Sequence, residues 1–182
     1  MSMRRVARGA DIHYKERKYH KRLQYIDEDK TLHKENIKFI KDFLNDLAIG
    51  VAAKVEVNTG SRYKYLTNLI VISRWFNKPF PQITKEDMKK AIGDLNADVI
   101  KNNGKPYSKE TKQGYKVTIK KFWKWLKGNN EFVPEEVKWI STNLKQDMVI
   151  VLSIEEVKKM INGAKSPMEA CAISILADGG LR

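Results

Sequence analysis

From Ser108 to Leu126 the chain reads SKETKQGYKVTIKKFWKWL, and this stretch constrains the fold more than any other. Tyr115, Ile119, Phe122, Trp123 and Leu126 recur at the spacing that lines side chains along one face of an α-helix. At about 100° per residue, Lys109, Lys112, Lys116, Lys120 and Lys127 form a second stripe flanking the apolar one. Such a helix packs one face against a core and presents the other to solvent. Between Ser108 and Lys127 there are seven lysines and a single acid, Glu110, so this helix carries +6 of the chain's +13. Charge concentrated this way is either a solvated face or the electrostatic footprint of a polyanion.

With 182 residues, the chain has room for one domain, or one domain and part of another. Its apolar fraction of 42% beside 31% charged residues is that of a folding, soluble protein. A pI near 9.7 points to nucleic acid or an anionic surface as partner. The basic excess lies upstream: residues 128–182 carry six basic and eight acidic side chains, so polyanion binding belongs before them. Cys171 is the single cysteine, which excludes an intrachain disulfide and a multi-cysteine zinc site and fits a reducing cytoplasm. His13, His20 and His33 are too widely spaced to argue for a metal, and no cofactor is expected. Apolar runs such as Met148–Leu152 fall far short of the roughly 20 residues of a membrane span. The basic start MSMRRVARG lacks the apolar stretch of a signal peptide. The expectation is a cytoplasmic, nucleoid-associated protein with no membrane partner.

Taken in order, residues 1–34 read as a basic N-terminal arm, with Tyr19, Leu23 and Ile26 hinting at a helical edge. Glu35–Ile49 is a first core helix on Ile37, Ile40, Phe43, Leu44 and Leu47, ended by Gly50. Ser61–Phe76 is a second, stopped by Lys78-Pro79. Thr84 with Asp87 makes a capping-box start for a third, which Asn102-Asn103-Gly104 closes. The Ser108 helix is the fourth, and Pro134-Glu135-Glu136 opens a short fifth. No stretch carries a hairpin signal, so the predicted class is all-α: a compact bundle of four or five helices over residues 35–140. A linker follows over 141–152. Ser153-x-x-Glu156 and Ser166-Pro167-x-Glu169 then start two further capped helices, too few to bury a core of their own.

A basic helical domain, a linker, then LSIEEVKKMI, a second capped helix and DGGLR together resemble the tyrosine recombinases, or phage-type integrases. YKVTIKKFWKWL and PEEVKWI look most like their archaeal branch. The resemblance implies a SAM-like core-binding domain over 35–140 that clamps double-stranded DNA with its second and fourth helices in the major groove. It also implies the start of a catalytic domain over 153–182 and a role in DNA integration and recombination. The DNA-facing positions would be Arg62, Lys64 and Thr67 on one helix, and Lys109, Lys112, Gln113, Lys116 and Lys120 on the other. Arg182, closing GGLR, would be the first catalytic arginine, bracing the scissile phosphate by planar, bidentate hydrogen bonds without metal. The family's lysine, histidine/arginine pair and nucleophilic tyrosine lie beyond this arginine, so the chain as given is expected not to cleave DNA. Tyr14, Tyr19, Tyr25, Tyr63, Tyr65, Tyr107 and Tyr115 all precede it and read as arm or packing residues.

Three function classes stay open on the sequence. One is the DNA-binding portion of a site-specific recombinase, with several copies assembling on DNA left open. Another is a stand-alone helical DNA-binding or regulatory protein derived from a recombinase. The last is a helical interaction module whose lysines only solubilise it.

Overall fold

The computed structural model of the chain describes residues 15–143 and 152–179. They belong to two compact units, Met1–Leu144 and Lys145–Arg182. The fold is all-α, with eight α-helices among the described residues and one two-stranded turn.

In the first unit α1 spans Lys15–Tyr25, α2 Lys34–Ala48, α3 Thr59–Ser73, α4 Lys85–Asn96, α5 Lys109–Gly128 and α6 Glu135–Lys138. Most starts carry a side chain that satisfies an amide the helix leaves orphaned. Asn58 Oδ1 accepts from the Ser61 amide at 2.9 Å, so α3 begins two residues before the expected Ser61. Thr84 and Asp87 form the reciprocal capping box of α4, and Ser108 Oγ accepts from the Thr111 amide at 3.2 Å to open α5. Asn129, with a left-handed φ of 46°, closes α5.

The core is built around the apolar face of α5. Phe122 is fully buried and meets Phe43 of α2 edge-on at 5.2 Å and Phe80, from the turn before α4, at 4.9 Å. Phe80 also contacts Trp123 at 5.7 Å. One ring from α5 therefore joins segments some forty to eighty positions distant in sequence, and truncating such a residue typically costs about 3–5 kcal/mol. A buried polar hub adds direction. The Asn36 carboxamide donates to Ser73 Oγ (3.0 Å) and to the Lys78 carbonyl (3.3 Å), and accepts from the Phe80 amide at 2.7 Å. It ties α2 to the exit of α3.

Two expectations are corrected. Residues 15–34 are part of the bundle and not an arm: α1 packs on α3, and Tyr19, Ile26 and Leu32 are buried. The pattern is hard to see because six of the eleven residues of α1 are charged and only one of its side chains, Tyr19, is buried. The third helix ends at Asn96, and Lys101–Asn102 pairs with Lys105–Pro106 in a tight hairpin. Its turn residues Asn103 and Gly104 both have positive φ, at 49° and 77°, the geometry for which Asn-Gly is the strongest short signal.

In the second unit α7 spans Ile154–Asn162 and α8 Pro167–Gly179, packed on each other. The Ser153/Glu156 box forms, and Ser166 Oγ accepts from the Glu169 amide at 3.2 Å. Capping makes these helices, but none of their described residues is buried, in keeping with the expectation that the pair lacks a core. The predicted linker lies outside the described residues over 144–151.

Asp87 links the α4 cap to pH. Its carboxylate is lowered from 3.8 to about 2, first by the hydrogen bond from Lys78 and then by the Thr84 amide. Because the folded value is the lower one, the cap's contribution is complete above about pH 3.8 and lost as pH falls through about 2. Asp87→Asn should therefore unfold at lower urea than the parent at neutral pH, with the gap closing as pH falls toward 2. A gap unchanged across that range would contradict this role.

Candidate nucleic-acid interface

Two helices set the geometry of the cationic surface. Where α3 meets α5, the Asn68 carboxamide donates to Thr118 Oγ1 (2.8 Å) and to the Gly114 carbonyl (3.4 Å), while the Thr118 hydroxyl donates to the same carbonyl at 2.8 Å. Gly114 lets α3 lie close: a Cβ there would stand 3.8 Å from Asn68 Nδ2 and from Lys64 Cε. A methyl fits that space at ordinary van der Waals distance, and a larger side chain would have to displace the Asn68 and Lys64 side chains. The Lys64 side chain accordingly runs over α5, so the outer faces of the two helices adjoin.

Helical geometry then decides which α5 residues share that outer face. With Tyr115, Ile119, Phe122 and Trp123 turned inward, Gln113, Val117, Lys121 and Lys124 turn outward at i, i+4, i+8 and i+11. Partial burial, and secondarily the neighbouring Lys124 ammonium, hold Lys121 below the ordinary lysine range. Two like charges crowded on a surface in this way are relieved by an anion.

The residues expected to face DNA divide by their partners. Lys64 is exposed beside Gly114. The Thr67 hydroxyl donates within its own helix, to the carbonyls of Tyr63 (3.1 Å) and Lys64 (3.0 Å). Gln113 lies on the outer face, Lys109 is exposed in the first turn, and Lys116 is half-buried on the flank of α5. The other three are engaged in packing. The Arg62 guanidinium lies 5.1 Å from the Tyr19 ring centre and donates to Thr59 Oγ1 at 3.3 Å, so it fastens α1 to α3. It stands about 200° around α3 from Lys64. Lys112 forms a 2.7 Å ion contact with Asp98 and donates to the Asn96 carbonyl, tying α5 to the end of α4. Lys120 donates to the Ile140 carbonyl at 3.1 Å, holding the segment after α6. Arg182 lies outside the described residues.

Sequence reasoning passed over Lys121, Lys124 and Lys15. The first two sit one and two turns beyond Val117, a spacing legible once the inward face is known. Lys15 is placed by tertiary contact: its Cδ stands 3.2 Å from where a Cβ on Gly60 would be, at the start of α3.

The surface offers cations and amides. Among the described residues no group of three His, Cys, Asp or Glu side chains is placed to hold a metal ion, and no helix is long and apolar enough to cross a membrane. Tyr115 and Tyr65 are shifted upward by burial, Tyr115 also by its hydrogen bond with Tyr107. Comparison with protein-family models, curated proteins and solved structures returns no match.

The division of the lysines predicts different phenotypes. Lys112→Met should cost about 0.5–1 kcal/mol in urea unfolding, the worth of a partly exposed ion contact. Gly114→Ala should be neutral or stabilising by up to about 1 kcal/mol, as a better helix former that still fits. Gly114→Leu should destabilise the bundle by forcing α3 away. A Leu variant as stable as the Ala variant would show that the helices do not approach closely there.

Proposed function

We propose that residues 15–143 form a duplex-DNA-binding domain of the kind that precedes the catalytic domain in tyrosine recombinases. The observation that carries the reading is the adjoining outer face of α3 and α5. Lys64, Lys116, Lys121 and Lys124 take part in none of the ion pairs among the described residues. Lys41, Lys78, Lys112 and Lys127, by contrast, have carboxylate partners within 2.8 Å. Unpaired cations gathered on two adjoining helices are what a phosphate backbone requires, since neutralising phosphates releases condensed counterions. An α-helix with side chains, about 10–12 Å across, also matches the width of a major groove.

On this reading Lys64, Lys121 and Lys124 contact phosphates directly, with Lys116 reaching one from the flank. Lys121 gains most, because a phosphate oxygen offsets both its partial burial and the Lys124 charge. The resemblance of LSIEEVKKMI and DGGLR to the recombinases extends the proposal to residues 153–182 as the opening of a catalytic domain. Arg182 would there brace the scissile phosphate. The reaction class would be DNA strand transfer through a tyrosine-linked intermediate, with this segment supplying binding and phosphate stabilisation.

Four phosphate-neutralising lysines predict a slope of about −4 for log affinity against log salt, at roughly −0.9 each. Lys121→Ala should make the slope shallower by about one, whereas Lys112→Met should leave it unchanged. Filter binding or fluorescence anisotropy on a 25-base-pair duplex (about 85 Å of DNA axis) reads both. Affinity indifferent to salt, or equal slopes in the two variants, would overturn the assignment.

A further inference from the structure

We infer that Gln113 and Val117 form a base-reading pair at the centre of α5, selective for an A·T base pair. The inference rests on the duplex-binding reading above and names what that surface recognises. Val117 is the one large apolar side chain of α5 left prominently in solvent, at 42% exposure. Stability does not explain it. A β-branched residue there is a poorer helix former than the lysines around it, and some two fifths of its surface stays in water. Gln113 stands one turn earlier on the same face, and no hydrogen bond among the described residues engages its carboxamide.

The chemistry of the two side chains is complementary to one base pair. A carboxamide donates to adenine N7 and accepts from its N6 amino group at once, and an apolar side chain packs on the thymine 5-methyl. Position along the helix fits as well. At about 1.5 Å per residue, Lys121 lies roughly 6 Å and Lys124 roughly 10 Å beyond Val117, within the ~12 Å width of a major groove. Those two lysines therefore reach a phosphate wall while the uncharged pair beside them faces the groove floor.

The test is selection of the full chain on a pool of random duplexes, followed by base analogues in the selected site. A·T pairs should be enriched. Replacing the relevant thymine by deoxyuridine should weaken the parent about fourfold, the worth of one methyl group, and weaken Val117→Ala by less. Replacing its adenine by 7-deazaadenine should weaken the parent and leave Gln113→Ala unaffected. Gln113→Ala should itself lose about 5- to 150-fold on the selected site. Salt-steep binding without enrichment, or with both variants as sensitive to the analogues as the parent, overturns the base-reading pair and leaves duplex binding standing. Absence of salt-dependent binding to any duplex in the pool removes the inference together with its foundation.

Discussion

The contact between Asn68, Gly114 and Thr118 is the one on which the arrangement of the cationic surface depends. Three hydrogen bonds converge where α3 crosses α5, and the missing side chain of Gly114 lets Lys64 and Asn68 lie over the helix. Inside that crossing, the Phe122 ring joins α2 and the turn before α4 to α5. Outside it, the same rotation of α5 that buries Phe122 presents Gln113, Val117, Lys121 and Lys124. Core and surface are thus two consequences of one helix orientation, and the surface is as well defined as the core that fixes it.

Local signals were readable from the residues because their physics is local. The Thr84/Asp87 and Ser153/Glu156 boxes, the Ser108 cap and the apolar stripe of α5 each involve side chains within a few turns of one another. The all-α class followed from them. The Asn103-Gly104 hairpin was equally local, and its turn signal was overlooked because the flanking strands are only two residues each. The first helix showed only as a hint, and its packing into the bundle was missed for another reason: Tyr19 finds its partner, Arg62, some forty positions later.

The candidate site was less legible than the fold. A lysine stripe seen in sequence does not distinguish ammonium groups that bridge elements from those that face solvent. Lys112 and Lys120 belong to the stripe, yet Asp98 and the Ile140 carbonyl claim them. Lys121 and Lys124 stood outside the stripe and face outward. Sorting cations by the acceptors that tertiary packing brings to them changes which residues a DNA-binding reading should rest on. It also explains how a strongly basic helix is tolerated: part of its charge is spent on internal ties and the remainder collects on one face.

The central claim is that the outer faces of α3 and α5 act together as one duplex-binding surface. Backbone-amide NMR shifts of the full chain, followed while a short duplex is added, test it most directly. The account predicts that the amides that move belong to the outer faces of residues 60–67 and 113–124, moving together with one saturation curve. Perturbations centred on residues 85–105, or on the α7–α8 pair with α3 and α5 silent, would contradict it.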